Sequence, residues 1–270
     1  MDDDLTRPSL SYVPGDRASE QRYVESLGEL PSDWLSFARP AEVTCEWHRK
    51  ENQLQMGSCQ GTELSSVLER LWFAATGEIV QLSKIFAYLA TQAIGGRIGA
   101  DNGSKPTDGA QLATQYGVPL ESLTGYPPTY PNAQLRAQIL SKTNYAAAAK
   151  YKAKSAVRMR ANADEACNLI GGGGGISFGS MWYPGMIPRD RIVRVYNPPR
   201  GTVSRHAQCI LGYRPDLRLY GWNSHNDGQY EFTPEAYEQM VRHPETVAIG
   251  LLGGEQPVDW YADSYMLGKG

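Results

Sequence analysis

Apolar residues recur at helical spacing in the first half of this chain and in short strand-like runs in the second. The longest helical signal begins after Gly57-Ser58. There Leu64, Val67, Leu68, Leu71, Trp72 and Ala75 share one face, and Gly77 is placed to stop the helix. Leu82, Ile85, Phe86, Leu89 and Ala93 predict a second amphipathic helix ending near Gly95-Gly96. Further helices are predicted over Thr107 to Tyr116, Ala163 to Ile170, and Asn132 to Ser141, the last burying Leu135, Ile139 and Leu140; Glu20 to Gly28 allows a short one.

The alternation of charged with small or apolar residues from Lys150 to Arg160 is that of a half-solvated strand. Strand-like runs then dominate: Ile176 to Ser180, Arg191 to Tyr196, His206 to Tyr213, Leu217 to Trp222 and Glu245 to Leu252. Thr233 to His243 interrupts them as a helix with Thr233 at the N-cap and Pro234 at its first position. Helices first and antiparallel strands second predict an α+β chain of two lobes. The proline-rich stretch Tyr126 to Asn132 precedes the boundary, giving an N-terminal extension over 1–29, a helical lobe over 30–145 and a β-rich lobe over 146–270.

Composition narrows the function classes. With 270 residues, 41% hydrophobic and 20% charged, the chain has the balance of a globular protein with a substantial core. A formal net charge of −3 argues against binding nucleic acid or an anionic membrane by electrostatics. No apolar run reaches transmembrane length, and residues 1–29 carry no secretory signal pattern. Cys45, Cys59, Cys167 and Cys209 are widely spaced, which disfavours a disulfide framework and fits a reducing compartment, cytoplasmic or virion-associated. Cys45-Glu46-Trp47-His48 has a C-x-x-H spacing but no second pair, so no metal is expected, and His48, His225 and His243 read as surface residues. The run Gly171 to Gly175 lacks the Gly-Lys-Ser/Thr of a phosphate loop, and no organic cofactor is implied.

The chemistry concentrates on Cys59, at the mouth of the longest predicted helix. Backbone N–H groups of a first helical turn and the helix dipole favour a thiolate there. A thiolate needs a base and an oxyanion donor. His206 opens a strand-like run, Asn223 lies in Trp222-Asn223-Ser224, and Gln53 stands shortly before the cysteine. The order Gln53, Cys59, His206, Asn223, with its long Cys-to-His separation, resembles the papain-like cysteine peptidases. Leu30-Pro31-Ser32-Asp33-Trp34, Leu82-Ser83, Phe86-Ala87-Tyr88, Tyr116-Gly117-Val118 and Tyr126-Pro127-Pro128 match further landmarks in the same order. The spacing of Gly228, Tyr230, Phe232, Pro234 and Tyr237 is similar to the ending of the family's bacterial and viral members.

The resemblance implies a papain-like fold, with a helical lobe led by the nucleophile helix, an antiparallel β-barrel-like lobe and the active site in the cleft between them. It implies Cys59 as nucleophile, His206 as base, Asn223 as the group orienting the imidazole and Gln53 as an oxyanion donor. The substrate would be a polypeptide, cut at a peptide or isopeptide bond. Gly103 and Ser104 would present backbone along the substrate groove, unless their loop is a plain surface loop, and Trp222 would exclude water. Three positions depart from the family pattern: Gln60 and His225 replace aromatic residues, and Met56 replaces a disulfide cysteine. Two other classes stay open, a cysteine amidohydrolase acting on cell-wall peptides and a non-catalytic structural or virion component.

Overall fold

The computed structural model describes residues 17–44, 47–48, 52–183, 185–199, 204–224, 228–254 and 257. Over these residues the first part of the chain is helical: α1 (Arg17–Ser26), α2 (Ser32–Ser36), α3 (Cys59–Thr76), α4 (Lys84–Ile94), α5 (Pro106–Gln115), α6 (Ala133–Ile139) and α7 (Lys142–Ala148). The second part mixes β1 (Ser155–Arg158), α8 (Ala163–Gly171), β2 (Gly175–Trp182), β3 (Ile192–Val193), β4 (Ser204–Tyr213), β5 (Leu219–Asn223), β6 (Gly228–Phe232), α9 (Pro234–Arg242) and β7 (Val247–Leu252). The strands form one sheet in the order β1-β7-β2-β4-β5-β6-β3. All neighbours are antiparallel except β3 and β6.

Local chemistry accounts for most boundaries. Gly77 ends α3 in the left-handed conformation (φ 72°), donating its N–H to the Phe73 carbonyl. The side chains of Ser83, Asn132, Ser141, Asn162 and Thr233 each accept a hydrogen bond from a backbone N–H in the helix that follows.

Helix α3 is the interior axis of the molecule. It packs on α4 and α5 and also on β2 and β4, so every residue from Cys59 to Leu71 is buried. A one-faced amphipathic helix was expected. Hydrogen bonds offset the burial of many of the extra polar residues. Thr62, Ser65 and Ser66 hydroxyls bond carbonyls one turn back. Glu63 accepts from the Ser177 hydroxyl at 2.7 Å, Glu69 accepts from the Leu82 N–H at 2.7 Å, and Arg70 donates to the Ile170 carbonyl at 3.0 Å.

Several sequence expectations need correcting. Ala75 and Ala93 are exposed, because the last turns of α3 and α4 run past the elements that cover them, and Ala74 is buried instead. Leu135 and Leu140 are only half-buried, with Ile139 carrying the burial of α6. The run Arg191 to Tyr196 contributes only the two-residue strand β3, held parallel to β6 through Ile192 and Val193. Helix α7 and strand β6 had no predicted counterpart.

Two hydrophobic clusters flank the sheet. One joins α3, α4 and α5 to Cys209, Leu211, Trp222, Ile249 and Leu251, and the other surrounds α8 and α9 with Ile176, Phe178, Ile210 and Phe232. No helix among the described residues is long and apolar enough to cross a membrane.

Helices α3 and α4 come into close contact at Gly61, where a Cβ would stand 2.6 Å from both the Lys84 carbonyl oxygen and the Tyr88 nitrogen. These are backbone atoms, so α4 would have to move as a unit. Gly61→Ala should therefore destabilise the protein by about 1–3 kcal/mol in urea unfolding. A loss below about 0.5 kcal/mol, within the range of inconsequential surface changes, would mean that α4 shifts freely.

Candidate active site

Cys59 is the first residue of α3 and is fully buried. Ser58, before it, does not cap the helix; its hydroxyl lies 2.7 Å from the Tyr126 hydroxyl. On the sheet side, Ala207 donates its backbone N–H to Cys59 Sγ at 3.1 Å. Ala207 follows His206 on β4, so this bond brings the thiol beside the histidine across 148 residues of chain. A hydrogen bond to sulfur favours the charged thiolate, as does the positive end of α3.

His206 is buried, and its Nε2 lies 2.7 Å from Asn223 Oδ1 on β5. The pairing follows from sheet order, since β4 runs between β2 and β5. On its other side the imidazole meets Trp182 of β2, with ring centroids 5.3 Å apart and planes at 70°.

Gln53 lies on the turn before α3 and is tied at both ends of its side chain. Its Nε2 donates to the Met56 carbonyl at 2.9 Å, and its Oε1 accepts from the Ser224 hydroxyl at 2.6 Å. Its backbone is held as well: the N–H donates to the Ser224 carbonyl at 3.1 Å, and the carbonyl accepts from the Tyr126 hydroxyl at 3.0 Å. The same turn is anchored at Gly57, whose N–H donates to Asp101 Oδ1 at 2.9 Å. Hydrogen bonds thus tie Cys59 to the chain neighbour of His206, His206 to Asn223, and Gln53 to the chain neighbour of Asn223.

Ser224, Tyr126, Asp101 and Trp182 are the supporting groups that the sequence did not single out for this role. Nothing in their local pattern marks them, because each acts on a residue far away in the chain.

The other expected site residues are placed differently. Gly103 and Ser104 are buried. The Gly103 N–H donates to the Tyr88 hydroxyl at 3.0 Å, and its carbonyl accepts from Gln92 at 3.1 Å. The Gly103 backbone is therefore tied to α4 through Tyr88 and Gln92. Trp222 is also buried, its ring 4.5 Å from that of His48. Gln60, where the family has an aromatic, turns inward against α5, so that a Cβ on Gly109 would stand 2.4 Å from its Nε2.

His48 was expected at the surface but is buried between Trp47 and Trp222. Burial lowers its pKa to about 3. The nearest carboxylate, on Glu69, stands 3.8 Å away, too far for a hydrogen bond to offset that burial. Cys59, Cys167 and Cys209 are free thiols, and burial pushes Cys167 up to about 12. His243 is half-buried against Tyr196. Cys45 and His225 lie outside the described residues.

No protein-family model matches the chain, and no curated protein matches it by sequence. Solved structures do match. Xylellain, a cysteine protease from Xylella fastidiosa, superimposes with a TM-score of 0.70 at 19% identity, covering 95% of this chain and 100% of that one. The chain has a papain-like cysteine protease fold. Digestive procathepsin L 3 from the larval midgut of Tenebrio molitor matches with a TM-score of 0.62 at 12% identity, over 87% of this chain and 79% of that one. The bromelain protease of Ananas comosus, solved with the inhibitor E64, matches with a TM-score of 0.57 at 13% identity, over 79% and 99%. In a papain-like fold with this little identity, the side chains at the site carry the functional argument.

The burial of His48 has a pH consequence. In the folded chain it stays neutral down to about pH 3, whereas in the unfolded chain it takes up a proton near pH 6.5. Between those values the unfolded state binds more protons, so stability falls as pH drops through that window. Urea unfolding at pH 7 and pH 5 should show the wild type losing about 2 kcal/mol more than His48→Phe. Equal losses would mean that His48 takes up its proton in the folded state as readily as in the unfolded one.

Proposed function

We propose that this chain is a thiol peptidase that hydrolyses peptide or isopeptide bonds in polypeptides, with Cys59 as nucleophile, His206 as base, Asn223 as the orienting residue and Gln53 as oxyanion donor. The observation that carries the reading is the contact of the Cys59 thiol with the backbone of β4 next to a histidine that Asn223 holds by Nε2. With Nε2 engaged by Asn223, Nδ1 is the ring atom that exchanges a proton with Cys59. Neutral His206 removes the thiol proton, giving a thiolate and an imidazolium.

The thiolate attacks the substrate carbonyl carbon, and the carbonyl π electrons move onto oxygen. That oxyanion takes hydrogen bonds from the Cys59 N–H and from the Gln53 amide. The amide nitrogen carries two hydrogens, one of which already goes to the Met56 carbonyl, leaving the second for the substrate. One such donor is commonly worth about 3 kcal/mol in the transition state. As the C–N bond breaks, imidazolium gives its proton to the departing amine and a thioester remains. Water, losing a proton to His206, then attacks the thioester, and the thiolate leaves.

Asn223 keeps the ring in the orientation that both proton transfers need. Ser224 does the same for Gln53 by accepting its backbone N–H and donating to its Oε1. The free thiols of Cys59, Cys167 and Cys209 agree with action in a reducing compartment.

The test is labelling of Cys59 by an epoxysuccinyl thiol-peptidase inhibitor, with turnover of denatured proteins and of cell-wall peptides measured alongside. Cys59→Ala should abolish label and turnover while the fold persists. His206→Ala should remove nearly all turnover and the labelling at mildly acidic pH. Asn223→Ala should cost less, about 10²–10⁴-fold. Cleavage of cell-wall peptides alone would replace this reading with an amidohydrolase. Labelling in wild type that ignores His206→Ala would leave a papain-like scaffold without a working pair.

A further inference from the structure

We infer that Trp182 is a positioning residue for His206: its indole stabilises the imidazolium form of the base and closes the open side of its ring. The assignment rests on the peptidase reading above and concerns a residue outside the set Gln53, Cys59, His206 and Asn223. It follows from sheet register. In the antiparallel pair β2–β4, Ser180 stands opposite His206 and Trp182 opposite Ser204. Trp182 and His206 therefore share a face of the sheet and are diagonal neighbours, a separation that a large aromatic ring spans. The rings do meet, with centroids 5.3 Å apart and planes at 70°.

Because β4 lies between β2 and β5, the imidazole is bracketed by Trp182 on one side and Asn223 on the other. An imidazolium within about 6 Å of an indole centroid is attracted by the ring's quadrupole. A smaller polar side chain at 182 would instead admit water beside the imidazole. Trp182 is half-buried, so it stands between the His206 ring and solvent.

The groups around the imidazole limit what else could control its charge. From α3 the titratable neighbour is Cys59, which reaches β4 through Ala207. From β2 and β5 come Ser180, Trp182 and Asn223, none of them ionisable at working pH. Arg205, next on β4 and so pointing to the opposite face, is paired with Glu245. Indole contact is thus an interaction with His206 that substitution can remove without introducing or deleting a charge.

The experiment compares wild type, Trp182→Leu and Trp182→Phe by the pH dependence of Cys59 alkylation with iodoacetamide. The alkaline limb reports loss of the imidazolium proton. W182L, apolar but without a ring, should move that limb to lower pH by about 0.5–1 unit. W182F keeps a π face and should retain most of the wild-type position. A second measurement needs no variant at position 182. Protonated imidazole in ring contact quenches indole emission, so wild-type tryptophan fluorescence should titrate with the midpoint of the alkaline limb, and His206→Asn should abolish that step. His48, the other histidine in ring contact with tryptophan among the described residues, does not titrate there, since it stays neutral down to about pH 3.

An alkaline limb in W182L that coincides with wild type, or flat emission in wild type, overturns the assignment of Trp182 while leaving the peptidase reading standing. A wild-type alkylation profile with no acid-side plateau shows that no ion pair forms, and it overturns both.

Discussion

A hydrogen bond from the Ala207 N–H to Cys59 Sγ holds the start of α3 against β4, and the geometry of the site depends on it. Neither partner has the bond from local structure. It exists because α3 is buried on all sides, between α4 and α5 on one flank and β2 and β4 on the other. A helix so placed cannot slide to accommodate a shift at its N-terminus. Gly61 removes the last freedom by letting the α4 backbone come into direct contact with it. The thiol is thereby set beside His206 by packing that involves neither residue's chemistry.

The same logic governs the turn before the helix. Gln53 is exposed to competing conformations in any isolated peptide, yet here its side chain and backbone are each held by Ser224 and its carbonyl by Tyr126. Asp101 takes the Gly57 N–H and also accepts from the Tyr88 hydroxyl, linking the turn to the body of α4. Under the peptidase reading this is pre-organisation: donors aimed at an oxyanion contribute most when they need not reorient during reaction. Gln92 and Tyr88 tie the Gly103 backbone into the same network.

Aromatic packing supplies a second kind of constraint. Trp182 stands against His206, while Trp222, next to Asn223 in the chain, is backed by His48. The ring at 48 is polar by composition and apolar by use, since burial keeps it neutral. A residue type alone therefore misleads here: the imidazole of His48 fills space, and that of His206 is held by Asn223.

Sequence by itself determined the elements whose causes are local. The start of α3 at Cys59, its stop at Gly77, the Thr233 cap on α9 and the strand run from His206 to Tyr213, which lies within β4, all arise from spacing, caps and period over neighbouring residues. The ordered set Gln53, Cys59, His206, Asn223 was legible too, because a shared chemical need leaves residue types in a recognisable order. Tertiary structure alone decided the rest. Burial of His48, the inward turn of Gln60, the engagement of Gly103 and the contact of Trp182 with His206 each depend on residues distant in sequence. No local period encodes such contacts. A side chain's exposure is set by whatever element folds over it, and for α3 that means helices on one side and a sheet on the other.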